Sequence, residues 1–268
     1  MLNGYKTMVK IWKAIIRKMF TKNLFLILLF IPSFLFCQEF SFDVNTNEGF
    51  IETIYIRDDY KVFKISETID EIYIFGSDSL AKNYLQTLNK SIIPKKKFQL
   101  GETAIFVNSV AHIEYYTNST PLSSLGKIKS INDLTFNYAP EYSWNRNSGV
   151  TGKLIQIGNI KITYWTDAGY TEKGKYRGKI KSFGNKEFKY EGWSSWGEKA
   201  GMVGRLISIG SIKINYYETD YDKGYKGKLK SISTIEFIYY GESTNNKKAK
   251  IVGKLKQQTG QDERITVH

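Results

Sequence analysis

One motif recurs five times between Gly126 and Tyr240: a Gly, a basic residue, a short apolar run, two turn residues, and an apolar run ending in Tyr. The copies are Gly126–Tyr138, Gly152–Tyr164, Gly178–Tyr190, Gly204–Tyr216 and Gly227–Tyr239. Their starts lie 26, 26, 26 and 23 residues apart, and a sixth start, Gly253-Lys254-Leu255-Lys256, follows after another 26. A fixed period constrains the fold before any other argument, because no unit of this size buries its apolar side alone.

Each copy reads as a β-hairpin. In the second copy, Gly158-Asn159 separates Leu154-Ile155-Gln156-Ile157 from Ile160-Lys161-Ile162-Thr163-Tyr164. Gly and Asn accept the positive φ that two-residue hairpin turns demand. Gly184-Asn185 and Gly210-Ser211 repeat the signal, and Asn132-Asp133 and Ser233-Thr234 hold the same place with less characteristic residues. Such a turn pairs Ile157 with Ile160, Ile155 with Ile162 and Lys153 with Tyr164, all expected on one face.

Across the copies the middle pair switches jointly: Lys129–Phe136, Ile155–Ile162, Lys181–Phe188, Ile207–Ile214, Lys230–Phe237. Joint switching is what directly opposed side chains would show, since cross-strand pairs are the unit of sheet stabilisation. The outer pair is always a cation with Tyr: Lys127–Tyr138, Lys153–Tyr164, Lys179–Tyr190, Arg205–Tyr216 and Lys228–Tyr239. A cation beside an exposed ring is worth about 0.5–1 kcal/mol. The switching doubles the period to about 52 residues. Even copies then have the drier face, and copy three, with Lys181 and Lys186, sits nearer water.

The expected fold is all-β: tandem antiparallel hairpins forming one twisted sheet. A small β-propeller is the alternative, because 52 residues hold four strands, one blade's worth. An outer-membrane barrel does not fit, since strands of about 6 residues fall short of the roughly 9–11 needed. The organisation reads as residues 1–37, an export signal; 38–121, an irregular β-rich region; and 122–268, the repeat region. In the middle region Tyr60–Ile65 and Ile69–Phe75 look like a diverged hairpin, and Gly101–Tyr116 like a stretched copy of the repeat. Leu80, Tyr84, Leu85 and Leu88 stand at helical spacing behind Ser77 or Asp78, so a short helix is expected over 78–90. Ile92–Lys97, with Pro94, reads as an exposed loop.

Leu24–Phe36 is an apolar run of 13 residues behind six basic residues and no acids, the layout of a secretory signal. A start at Met19 would give a shorter signal than a start at Met1. A spanning helix wants about 20 apolar residues, so the run implies export and not anchorage. Cys37 is the only cysteine; a lipidated cysteine ordinarily follows a small residue, and Phe36 is large, so cleavage near Cys37–Gln38 is the expectation. The remaining chain has no disulfide to staple it.

Residues 38–121 carry 8 basic and 12 acidic groups, net −4, whereas 122–268 carry 25 and 14, net +11. A basic field favours anionic partners. In an exported chain that points away from nucleic acid and toward anionic polysaccharide or another envelope polymer; membrane contact is expected only through the signal segment. The plain counter-reading is that these lysines are solvated groups that keep sheet edges from aggregating.

Connectors of 9 to 13 residues join the hairpins and are rich in aromatics: Trp144, Tyr170, Tyr176, Trp193, Trp196, Tyr221 and Tyr225. Loops on a repeated scaffold align on one side, where repeat proteins bind. These rings, with Lys153, Lys179, Arg205 and Lys228, are the candidate binding residues; the alternative is that the rings fold back to cap hairpin ends.

Catalytic patterns are absent from the sequence. There are two histidines, His112 and His268, and no Gly-x-Ser-x-Gly elbow or phosphate-cradling glycine loop. Asp220-x-Asp222-x-Gly224 lacks the third ligand and closing Glu of a calcium loop. No cofactor or metal is expected. Asp58-Asp59, Asp70-Glu71 and Glu141 are carboxylates of the kind a glycosidase uses, without a spacing that selects them.

The string Gly-Lys-Ile-Lys-Ser-Ile/Phe-Gly-Asn-x-x-Phe/Ile-x-Tyr, over Gly126 to Lys256, resembles the repeats of secreted β-hairpin-repeat proteins of AT-rich Gram-negative bacteria. That resemblance implies export and carries no activity with it. The functional expectation is a non-catalytic envelope scaffold or binding module, for an anionic glycan or similar polymer; the competing one is a secreted hydrolase acting on polysaccharide or cell-wall material through carboxylates.

Overall fold

The computed structural model describes residues 39–100, 102–108, 112–117, 122–141, 149–166, 177–192, 202–218 and 224–268. Residues 1–37, expected from sequence to be an export signal, lie outside them. From Glu39 onward the chain is one compact unit of two sheets.

The first sheet has seven strands. Four follow one another as antiparallel neighbours: β1 (Phe40–Asn45), β2 (Phe50–Asp58), β3 (Lys61–Ile65) and β4 (Ile69–Ile74). The expected hairpin over 60–75 is β3 and β4. Then come helix α1 (Asp78–Thr87), a 3₁₀ turn at Lys90–Ile92, and the antiparallel pair β5 (Lys96–Leu100) and β6 (Thr103–Val107). β6 lies parallel beside β4. The final strand, β19 (Ile265–Val267), returns to lie parallel beside β1.

Ser77 caps α1, its Oγ accepting the Leu80 N–H at 3.3 Å. The helix ends at Thr87 because Leu88 takes φ +45°. Ala81, Tyr84 and Leu85 bury against Tyr55, Val62, Tyr73 and Phe75 and cover one face of this sheet. Leu80 points outward at 39 % exposure. The expected loop at 92–97 is corrected in its second half: Lys96 and Lys97 open edge strand β5, paired with Val107 and Phe106.

The second sheet is a twelve-stranded meander, each strand hydrogen-bonded to the next in the chain. It runs β7 (Ile113–Tyr115), β8 (Ile128–Ile131), β9 (Leu134–Tyr138), β10 (Leu154–Ile157), β11 (Ile160–Tyr164), β12 (Ile180–Phe183) and β13 (Lys186–Tyr190). It continues through β14 (Leu206–Ile209), β15 (Ile212–Tyr216), β16 (Leu229–Ile232), β17 (Ile235–Tyr239) and β18 (Leu255–Thr259). The repeat is therefore a hairpin in a continuous sheet, and the propeller alternative falls because no four-stranded blades separate. Short helix α2 (Thr244–Lys248) lies in the last connector. Gly101–Tyr116 is not a whole stretched copy: its first half is β6 in the first sheet, and only β7 joins the repeats.

The turn-flanking pairs match the expected register: Ile131↔Leu134, Ile157↔Ile160, Phe183↔Lys186, Ile209↔Ile212 and Ile232↔Ile235. Only the first residue of each turn has positive φ, whether Asn132, Gly158, Gly184, Gly210 or Ser233. The inner faces of the two sheets share one core, with Phe63 meeting Phe183 edge-on at 4.7 Å.

The middle pair is corrected. Where one copy meets the next, the register slips by one residue, as in Tyr138↔Leu154 followed by Asn137↔Gln156. The extra residue is Ile155, and the same bulge falls on Lys129, Lys181, Ile207, Lys230 and Lys256. A bulge turns its residue away from the pleat. Lys181 is thus exposed while Phe188 is buried, and these two do not share a face. Lys186 instead reaches Glu39 at 3.3 Å on the sheet rim.

The Lys/Ile half of the switching follows a different neighbour. Just after the last strand residue of the preceding copy stand Tyr116, Ala139, Trp165, Glu191, Tyr217 and Tyr240. The bulged residue is Lys where that position is aromatic and Ile where it is not. Lys181 lies 4.8 Å over Trp165, Lys230 5.8 Å over Tyr217 and Lys256 5.9 Å over Tyr240. Lys129, beside Tyr116, pairs with Glu114 at 3.3 Å.

Candidate functional site

The expected cation–tyrosine pairs form in all five copies, at 4.8 Å for Lys127–Tyr138, 5.3 Å for Lys153–Tyr164 and 5.4 Å for Lys179–Tyr190, Arg205–Tyr216 and Lys228–Tyr239. Each cation also donates to the carbonyl of the glycine that opens the next copy. Lys127 reaches Gly152, Lys153 reaches Gly178 and Lys228 reaches Gly253, each at 2.7 Å; Lys179 reaches Gly204 at 2.9 Å, and Arg205 reaches Gly227. Four of the tyrosines send their hydroxyl back to their own copy's first strand, as Tyr164 does to the Leu154 carbonyl at 2.7 Å.

This ladder explains the glycines. They hold φ of +74° to +81°, and a Cβ on Gly178 would stand 3.0 Å from the Lys153 ammonium. Lys153, Lys179, Arg205 and Lys228, read from sequence as binding groups, are therefore half-buried latches between copies. Burial lowers the Lys127, Lys153 and Lys228 ammonium pKa values from the ordinary lysine value. It raises those of the Tyr138, Tyr164, Tyr190, Tyr216 and Tyr239 hydroxyls, Tyr216 to about 12.

Two clefts open along the ladder against turns of the first sheet. One, of 410 Å³, lies between Lys127 and Lys153 and carries Glu102, Thr68 and Thr151. The other, of 370 Å³, lies between Lys179 and Arg205 and carries Glu52, Glu67 and Ser66. Glu67 holds Lys179 at 3.0 Å. Asp58, Asp59, Asp70, Glu71 and Glu141 line neither cleft. Among the described residues no three His, Cys, Asp or Glu side chains gather as a metal would require. His112 is exposed beside Glu114.

Of the aromatic connector residues, Tyr225 alone is described; Trp144, Tyr170, Tyr176, Trp193, Trp196 and Tyr221 lie outside the described residues, as do Asp220 and Asp222. Tyr225 is half-buried, edge-on to Tyr217 at 4.8 Å and stacked on Tyr239 at 6.2 Å. It closes a hairpin end.

The outward face of the long sheet carries what the ladder does not. Seven exposed lysines stand there, Lys129, Lys161, Lys181, Lys189, Lys213, Lys230 and Lys256, against Glu114, Glu187 and Glu236. Between them runs a polar row joined across copies: Asn137 to Gln156 at 3.1 Å, Thr163 with Ser182 at 2.6 Å, and Asn215 to Ser231 at 2.8 Å. A shallow 440 Å³ depression beside it is lined by Lys189, Lys213, Ser208 and Asn215 together with Glu191, Glu218 and apolar residues such as Ile207 and Met202. Strict strand alternation signals Lys161, Lys189 and Lys213 in the sequence; the bulged lysines had no such signal, because a bulge reverses the face.

Among the described residues no helix is long and apolar enough to cross a membrane. Compared with protein-family models, with curated proteins and with solved structures, the chain matches none.

Proposed function

We propose that the protein is an exported, non-catalytic β-repeat module that binds an anionic glycan or similar envelope polymer on the outward face of its long sheet. The observation that carries this reading is the division of cations. Inward ones are half-buried and tied to glycine carbonyls and tyrosine rings, whereas the seven outward ones are exposed, against three glutamates, on one surface. Lys161 and Lys213 are open, Lys129 and Lys189 meet Glu114 and Glu187, and Lys181, Lys230 and Lys256 lie over rings with their ammonium groups accessible. Strands about 4.8 Å apart repeat that surface at polymer-like intervals. Lysine with serine, threonine and asparagine is the chemistry that meets carboxylate or sulfate groups and sugar hydroxyls together.

The test is co-sedimentation with polygalacturonate against neutral dextran. The acidic polymer alone should be bound, and raised salt should release it, because exposed charges are screened beyond about 10 Å at 0.1 M. Lys161→Glu, Lys189→Glu and Lys213→Glu together should abolish binding while Lys153→Gln leaves it intact. Equal capture of dextran, or full binding by the triple variant, would refute the reading.

A further inference from the structure

The long sheet neither begins nor ends on a whole copy. Its first strand, β7, is the second half of a hairpin: Ile113↔Ile131 and Tyr115↔Ile128 repeat the pairing Phe136↔Ile157 and Tyr138↔Leu154. Its last strand, β18, is the first half: Tyr239↔Leu255 repeats Tyr216↔Leu229. Each end therefore lacks the strand that the other end supplies.

The unmet contacts show it. Tyr115 stands where a ladder tyrosine belongs, yet it is 51 % exposed, whereas Tyr138, Tyr164, Tyr216 and Tyr239 are 4–7 % exposed. Among the described residues no cation covers its ring and no acceptor meets its hydroxyl. At the other end Lys254 stands where a ladder cation belongs and is exposed, and among the described residues no ring lies beneath its ammonium. Leu122 and Leu125, 76 % and 42 % exposed, add an apolar patch in the turn beside β7.

We propose that the protein associates head to tail, β18 of one molecule pairing antiparallel with β7 of the next. Lys254 then covers Tyr115 of the neighbouring molecule, whose hydroxyl takes the Leu255 carbonyl, and Gln257 faces His112, as Gln156 faces Lys161 within a copy. The contact uses two different surfaces and so adds molecules head to tail, not as a two-fold pair. Lys256, Gln257 and Gln258 keep the free edge wet, where whole copies place an isoleucine or phenylalanine at the site of Gln258, and this discourages pairing with unrelated strands.

Sedimentation velocity of the purified chain over a concentration series tests this. The wild type should form a growing ladder of species. Tyr115→Lys, which sets two ammonium groups against each other, and Lys254→Gln, which removes the cation, should each be monomeric alone, and their mixture should give a dimer that grows no further. Both side chains are exposed; should either variant misfold by circular dichroism, Tyr115→Ser and Lys254→Ser replace them with the same expected pattern. A wild type that stays monomeric at every concentration overturns the proposal. Self-association of either single variant at wild-type strength does so too, as does a mixture that stays monomeric.

Discussion

Replacing Lys153 by Met removes one rung of the ladder and keeps most of its aliphatic stem. Two favourable contacts go. The charged hydrogen bond to the Gly178 carbonyl, 2.7 Å long, belongs to a class worth about 1.5–3 kcal/mol. The cation over Tyr164, at 5.3 Å, adds about 0.5–1 kcal/mol. Against these stands relief from burying an ammonium, whose lowered pKa records that cost. A net loss of about 2 kcal/mol remains, which for a domain of this size lowers Tm by about 4–8 °C. The control is Lys161→Met on the outward face, where an exposed side chain with no partner among the described residues should change stability by no more than about 0.5 kcal/mol. Differential scanning calorimetry of the two variants decides it. If both melt together, the ladder holds nothing and its cations are ordinary surface charge.

Gly178→Ala should cost about 1–3 kcal/mol from the φ of +77°, plus the displaced Lys153 ammonium. Gly126→Ala, at φ +74° with nothing within 4 Å, should cost only the backbone part, so urea melts of the pair isolate the latch. Asp262 is held well below the ordinary carboxylate range by hydrogen bonds from Arg264, with a further one from Ser233, against a smaller opposing effect of burial. Its stabilisation is therefore full above the unfolded value near 3.9 and disappears as pH falls through the folded one. Asp262→Ala should abolish that acid dependence, cost about 2 kcal/mol, and speed amide exchange in β19. In alkali, Tyr55, Tyr73, Tyr84 and the five ladder tyrosines have pKa values raised mainly by burial. Their contribution is complete below pH about 10 and lost as pH climbs toward the folded values. The three ladder lysines with lowered values act in the opposite direction over that range and are outnumbered. In difference absorbance against Tyr164→Phe, the Tyr164 signal should therefore appear only together with loss of β circular dichroism; its ionisation near pH 10 in a still-folded chain would contradict it.

Local chemistry made part of this legible. The turn residues fixed Ile157 opposite Ile160, and Ser77 with its trailing apolar spacing marked the start of α1. The constancy of the cation and of Tyr foretold their contact. What the ladder cations touch beyond the ring was not legible, since the glycine carbonyl they bind belongs to the next copy and becomes a neighbour only once hairpins stack. The bulge was hidden too. One extra residue per junction reverses the face of Lys181 relative to simple alternation, and a comparison within hairpins sets it against Phe188, whereas the ring it covers is Trp165.

The same division holds at larger scale. Period, hairpin and inner pairing follow from contacts a few residues apart, so composition and spacing suffice to settle them. The split of the chain between two sheets does not. β19, three residues long, lies beside β1 more than two hundred residues earlier, and β7 parts from β6 to join the repeats. Such pairings are chosen by which apolar faces remain to be covered after the hairpins form, and by the ends of the long sheet that stay open, quantities that exist only in the assembled molecule.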